Sequence, residues 1–179
     1  MSYRMIAVDL DDSLLGDDLN ISERNINALM EASNRGVVVT IATGRMYCSA
    51  LPYIEQLKLN VPVITYQGGL IKNALSQEVL YHCPIPLEIA MEVIEKSKSD
   101  GAYLQVYVDD KYYMEEYNNF SELYRLNVGV AGTAVGPLDK FLKKAPTKML
   151  IIDEPSTILK MKDEYDRLFG EILQVTISK

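Results

Sequence analysis

The stretch IAVDLDDSLLGDD, Ile6 to Asp18, sets Asp9, Asp11 and Asp12 directly after a short apolar run and then adds Asp17 and Asp18. Carboxylates this close repel one another and resist burial, so the cluster needs water, a cation or a reaction to serve. Asp9 and Asp11 are two residues apart, and if the extended geometry of the apolar run continues, both side chains point the same way. Held together, they stay ionised at low cost only beside a cation, and a hard oxygen-preferring ion such as Mg2+ resolves the conflict. A second polar group follows in TIATGR, where the Thr43 hydroxyl and the Gly44 amide are short donors able to approach phosphate oxygens closely. Together these residues favour phosphoryl transfer, with one Asp as nucleophile, the other as acid/base, and a metal offsetting charge.

The elements around these residues must bring them to one place. MIAVDL (Met5 to Leu10) reads as a buried-type strand, and VVVTIAT (Val37 to Thr43) is β-branched almost throughout, as in a strand covered on both faces. Between them the apolar spacing from Ile21 to Arg35 predicts a helix with Ser22 as N-cap and Gly36 just past its end. A second helix is expected from about Met46 to Lys58, interrupted near its first turns by Pro52. PVITYQG (Pro62 to Gly68) reads as a third strand ended by Gly68-Gly69. This βαβαβ order predicts one parallel sheet with right-handed crossovers, an α/β architecture. Ligands in such sheets sit beyond the carboxyl ends of the strands, where Asp9 and Asp11, Thr43 to Arg45, and Gln67 to Gly69 all fall.

Near Tyr81 to Pro86 the texture changes. Pro86 to Gly101 is an amphipathic helix, and AYLQVYVDDKYYMEEY alternates on both sides of Asp109-Asp110, an antiparallel hairpin. Thr147 to Asp153 reads as a strand, Ser156 to Gly170 as a helix, and EILQVTISK as the start of a last strand.

With 179 residues, 48% apolar and 24% charged, the chain is of a length and composition to hold one globular domain with a smaller insertion. A net charge of −7 argues against a general nucleic-acid or anionic-membrane surface. An anionic substrate remains compatible, since one local cation site inverts the sign of a pocket. Cys48 and Cys83 form no disulfide framework or metal-ligand spacing and read as buried or idle thiols. No signal peptide or membrane-length apolar run is present, so the expected setting is cytoplasmic.

VDLDDSLL followed by TIATGR resembles the first two motifs of the haloacid dehalogenase superfamily, and within it the Cof-like phosphatases of sugar phosphates and nucleotides. The resemblance spans the whole chain. It implies a Rossmann-like core over residues 1–82 and an inserted α+β cap over 83–179 that chooses the substrate, a small phosphorylated metabolite. By this match Asp9 is the nucleophile that becomes an aspartyl phosphate. Asp11 protonates the leaving group and later activates water, and its carbonyl joins the Asp9 carboxylate on Mg2+. Thr43 holds the phosphoryl group and Ser13 supports the first-motif loop. Three departures stand out. Asp12-Ser13 replaces the usual Gly-Thr, and Gln67-Gly68 replaces a frequent Asn-Gly. The later phosphate Lys and the Gly-Asp-x-x-x-Asp stretch that completes the metal site are absent. The chain is therefore expected to be the N-terminal portion of a longer protein, with a truncated cap. It would bind Mg2+ weakly and leave MIAVDL as a sheet edge open to aggregation, to another chain or to a second copy.

Plainer readings stand beside these. Three aspartates alone describe a solvated strand end, and an EF-hand fits poorly because the loop follows a strand, lacks Gly at its sixth position and ends in Asn20. Asp17 and Asp18 read as a solvated loop. Arg45 either lines the phosphate pocket or pairs at the surface. His82 has no assigned role, and Lys148 is rejected as the phosphate lysine because it precedes a cap strand. Tyr103, Tyr107, Tyr112, Tyr113 and Tyr117 are expected to pack on one face of a hairpin more than to stack on substrate. The rival functions are a non-catalytic binding or regulatory protein on the same fold, and a phospho-accepting receiver domain, against which the cap-like second half speaks.

Overall fold

The computed structural model describes residues 3–178. The chain folds as two compact units, Met1–Cys83 and Pro84–Lys179.

In the first unit, β1 (Met5–Val8) and β2 (Val38–Ile41) pair in parallel, from Met5 opposite Val38 to Val8 opposite Ile41. The crossover is α1 (Glu23–Asn34), whose Ser22 N-cap hydroxyl accepts from the Asn25 N–H at 3.2 Å. Gly36, just past its end, takes φ +84°, a conformation that costs glycine nothing. Val39, Thr40 and Ile41 are buried, and Thr40 donates its hydroxyl to the Pro62 carbonyl at 2.6 Å. A β-branched strand thus closes on both faces without orphaning its one polar side chain.

α2 (Tyr47–Gln56) runs straight through Pro52 and is not interrupted there. Pro52 lies on the exposed side of the helix, where its ring meets solvent and not a packed neighbour. β3 (Pro62–Thr65) adds a third parallel position through a bridge from Ala42 to Ile64, with the Thr43 N–H donating to the Ile64 carbonyl at 2.9 Å.

Beyond β3 the structure departs from a purely parallel core. The strand ends at Thr65, not at Gly68, because Tyr66, Gln67 and Gly68 all take positive φ (53°, 51° and 94°) and turn the chain back. It returns as β4 (Leu70–Asn73) and β5 (Val79–His82), an antiparallel meander on β3. Among the described residues β1 pairs with β2 alone, and Met5 on it is half-exposed.

The second unit is a four-stranded sheet in the order β8-β7-β6-β9, formed by β6 (Tyr103–Val108), β7 (Lys111–Met114), β8 (Thr133–Ala134) and β9 (Lys148–Ile152). The β6–β7 hairpin turns at Asp109 and Asp110, φ 52° and 57°, the paired left-handed geometry that matches strand twist. One face carries Leu104, Val106 and Val108 against Ala90 and Ile94 of α3 (Leu87–Ser99) and Leu138 of α5 (Leu138–Phe141). Tyr165 and Phe169 of α6 (Pro155–Phe169) extend this core over Val93.

The opposite face is polar and aromatic. Tyr107 stacks on Tyr112 with ring centres 5.7 Å apart, and Tyr112 meets Tyr124 of α4 (Asn119–Val128) edge-on at 5.3 Å. The fully buried Gln105 donates to the Tyr103 hydroxyl at 3.2 Å and accepts from Tyr107 at 2.9 Å. Tyr112 donates to the Val130 carbonyl at 2.9 Å, and burial pushes its hydroxyl up to about 12. The hairpin tyrosines do not all share this face: Tyr113 packs on Phe141 at 4.6 Å, and Tyr117 is exposed in a loop.

The expected last strand does not form: residues 171–178 pair with no strand. Leu173 and Val175, whose alternation suggested it, pack instead against the Val93, Tyr165 and Phe169 cluster. Lys179 lies outside the described residues.

Candidate active site

The carboxyl ends of β1, β2 and β3 share one rim of the first unit. Asp9 follows Val8, whose carbonyl accepts the Ala42 N–H at 2.9 Å, and Thr43 follows Ala42. The parallel register therefore carries Asp9 and Thr43 out of neighbouring strands together.

The extended geometry that would align Asp9 and Asp11 is broken at Leu10. Leu10 is wholly buried, and its carbonyl accepts the Leu15 N–H at 2.9 Å, closing a wide turn over Leu10–Leu14 in which Asp12 takes φ 55°. Burial of one leucine thus hangs an acidic loop over the strand end. Asp9 keeps an exposed carboxylate that accepts one N–H, from Leu10 at 2.8 Å.

Asp11 is held differently. Arg45 forks onto it, Nε reaching Oδ2 at 2.9 Å and Nη2 reaching Oδ1 at 2.7 Å. The Arg45 side chain is 10% exposed, against 50% for Asp11, so a largely buried cation reaches out to a half-exposed carboxylate. Arg45 also donates from Nη1 to the Ser49 hydroxyl at 3.3 Å and lies 5.4 Å from the Tyr53 ring centre. The two readings left open for Arg45 meet here: it is an ion-pair partner, and the pair stands at the rim. Ser49 and Tyr53 were not singled out in the sequence, although 45, 49 and 53 are spaced four apart, as on one helix face.

Thr43 is buried and its hydroxyl accepts the Arg45 N–H at 3.2 Å. Its carbonyl accepts the Gln67 N–H at 3.1 Å, and the Arg45 carbonyl accepts the Tyr66 N–H at 2.9 Å. The loops after β2 and β3 are therefore laced backbone to backbone. Gly44 sits so close to Gln67 that a Cβ there would come within 2.9 Å of Nε2.

Ser13 is exposed on the wide turn and borders a cleft with Leu14, Gly16 and Asn25. Asp18 accepts from the Asn20 N–H at 3.1 Å, and the Asn20 side chain, followed by that backbone N–H, holds its carboxyl below the ordinary value, in keeping with a loop role. Lys148 lies in the second unit, mostly buried, 5.8 Å from the Tyr107 ring centre, and burial lowers its pKa. Cys48 is half-buried and Cys83 is exposed, and neither is in a disulfide.

The donor set suits a hard cation, with an exposed carboxylate at Asp9 and carbonyl oxygen at Asp11, whose own carboxylate is taken by Arg45. Among the described residues no three His, Cys, Asp or Glu side chains converge as a metal cage. The Asp9 carboxylate and the Asp11 carbonyl are oxygen donors of the kind that Mg2+ takes alongside water and substrate phosphate. No helix among the described residues is long and apolar enough to cross a membrane.

The chain is 26% identical over 172 residues to 5-amino-6-(5-phospho-D-ribitylamino)uracil phosphatase YitU of Bacillus subtilis, covering 94% of this chain and 63% of that protein. It is 32% identical over 110 residues to pyridoxal phosphate phosphatase YbhA of Escherichia coli, covering 62% of this chain and 40% of that protein. The crystal structure of TM0651 from Thermotoga maritima superposes with a TM-score of 0.84 at 30% identity, over 99% of this chain and 67% of that one. The chain thus spans less than two thirds of the length of these curated relatives. Residues 6–179 match the model of the haloacid dehalogenase-like hydrolases, and the chain belongs to that family.

Proposed function

We propose that this chain carries the nucleophile half of a Mg2+-dependent phosphatase of small phosphorylated metabolites. One observation supports this above the others: an exposed Asp9 carboxylate and a buried Thr43 hydroxyl leave adjacent parallel strands at the same rim. The phosphatase names of the relatives favour the same reaction class.

In this reading an Asp9 oxygen attacks phosphorus, the ester P–O bond breaks, and the leaving oxygen takes a proton from Asp11. Water then attacks the aspartyl phosphate, Asp11 takes its proton, and the Asp9–phosphorus bond breaks to free inorganic phosphate. Arg45 grips both Asp11 oxygens, so Asp11 must give up part of that fork to carry a proton. Thr43, Gly44 and Ser13 hold the phosphoryl group and its loop, and Arg45 acts on that group through Asp11. The Asp9 carboxylate and Asp11 carbonyl would hold Mg2+, which when bound offsets the charge of the phosphoryl group and of Asp9. The unit from Pro84 onward is read as the substrate-choosing cap, and the setting as cytoplasmic, with no nucleic-acid partner.

The test is Mg2+-dependent release of inorganic phosphate from a panel of phosphomonoesters by the full-length protein, compared with Asp9→Asn. Release that vanishes in the variant supports the reading. Absence of release from every substrate, at any Mg2+ concentration, returns the protein to a binding or regulatory role on the same fold.

A further inference from the structure

The loop after β3 holds a conformation that its sequence does not favour. Tyr66 and Gln67 are successive non-glycine residues at φ 53° and 51°, followed by Gly68 at 94°. An L-residue in the left-handed region is disfavoured, and neither Tyr nor Gln has the short side chain that eases it in Asn or Asp. Such strain persists where surrounding contacts over-determine it, and here they do: the Tyr66 N–H is held by the Arg45 carbonyl and the Gln67 N–H by the Thr43 carbonyl. The Tyr66 ring is buried, which accounts for one of the two residues.

Gln67 has no such account. Its side chain is exposed, and its carboxamide makes no hydrogen bond to any described residue. Yet it lies flat on Gly44, its Nε2, Cδ and Cγ 2.9, 3.1 and 3.4 Å from where a Cβ would stand. The missing side chain at Gly44 is what makes room for the amide. Strain, a glycine cradle and an unused donor thus coincide at Gln67, whose own N–H is held by the Thr43 carbonyl.

We propose that Gln67 is a substrate-contacting residue, its carboxamide donating an N–H to a non-bridging oxygen of the bound phosphoryl group. This rests on the phosphatase reading and adds to it a neutral donor beside Gly44. A neutral amide strengthens anion binding at the rim without bringing a second cation near Arg45.

The experiment measures affinity for inorganic phosphate by calorimetry, in the full-length protein with Mg2+, alongside para-nitrophenyl phosphate turnover and melting temperature. Gln67→Ala is expected to weaken phosphate binding about 10-fold and Gln67→Glu about 100-fold, the range of a hydrogen bond to a charged group. Neither should lower the melting temperature, because the amide supports nothing in the protein. Gln67→Gly should raise it by about 2–4 °C by relieving the left-handed strain, while weakening phosphate as Gln67→Ala does. A purely structural loop would not separate stability from phosphate affinity in this way. Wild-type protein that binds and hydrolyses while all three variants keep phosphate affinity within about twofold overturns this inference alone. Wild-type protein that binds no phosphate overturns it together with the phosphatase reading.

Discussion

The rim of the first unit and the tyrosine face of the second treat polar groups in opposite ways. On the second unit's sheet, Tyr103, Gln105, Tyr107, Tyr112 and Tyr124 satisfy one another or a carbonyl, and Gln105 is sealed from solvent. At the rim, Asp9 accepts one N–H and stays exposed, and Gln67 is left with an unused amide on strained backbone. A closed network specifies a shape, because each buried polar group requires its partner in place. An open set with residual capacity is arranged for something that arrives later. On the proposed reading, the difference sets bond making and breaking in the first unit and a fixed architecture for substrate choice in the second.

That contrast can be broken by substitution. Asp9→Asn in the full-length protein should cut phosphomonoester turnover by about 1,000-fold or more with its melting temperature unchanged. Asp12→Asn, on the same loop, should leave turnover within about twofold. Equal losses would mean that the acidic cluster acts as a diffuse charge and not through one nucleophile.

Gln105→Leu should do the reverse. Stripping a partner from the Tyr103 and Tyr107 hydroxyls is expected to cost about 1–3 kcal/mol of stability, read by denaturant unfolding, while the turnover of folded molecules holds. A turnover collapse without a stability change would place reaction chemistry in the second unit after all.

Alkaline pH sharpens the same division at smaller amplitude. The Tyr112 hydroxyl is raised by burial to about 12, above the ordinary value near 10, so the folded state holds its proton longer than the unfolded state. Its contribution to stability is complete below about pH 10 and is lost as pH rises from about 10 to about 12. Thermal melts across that window should fall in wild type and fall less in Tyr112→Phe. The variant starts lower near neutrality, having lost its bond to the Val130 carbonyl.

Local signals in the sequence carried far. Ser22 and Gly36 bracket α1 because capping is a short-range affair of side chain and backbone, and Asp109-Asp110 marks its hairpin for the same reason. α4 left a readable mark in the reciprocal cap of Asn118 and Ser121, inside a polar run that offered no clear apolar stripe. β4 and β5 were hidden because LIKN places a Lys and an Asn beside its apolar pair and VLYH is exposed throughout, so neither shows a covered face. The alternation of Leu173 and Val175 was real but was used for packing on helices, which no period-2 pattern can distinguish from a ladder.

At the rim the types of residue were legible and their pairing was not. Arg45 meets Asp11 across 34 positions, and Gln67 reaches Gly44 from a different strand end. Such contacts follow from sheet register and loop strain, quantities that no local stretch encodes.

The tyrosine network also decides how the molecule interacts with light. The chain has twelve tyrosines and no tryptophan, so its near-ultraviolet spectrum is a tyrosine spectrum. The packed rings of Tyr107, Tyr112 and Tyr124 form a chiral cluster with centres 5.3–5.7 Å apart, while Tyr3, Tyr81 and Tyr117 are half or more exposed. Near-ultraviolet circular dichroism of this chain is therefore expected to be weighted toward the second unit, with the first represented mainly by the buried Tyr47 and Tyr66. An optical melt reports the architecture, and the chemistry must be followed by its product.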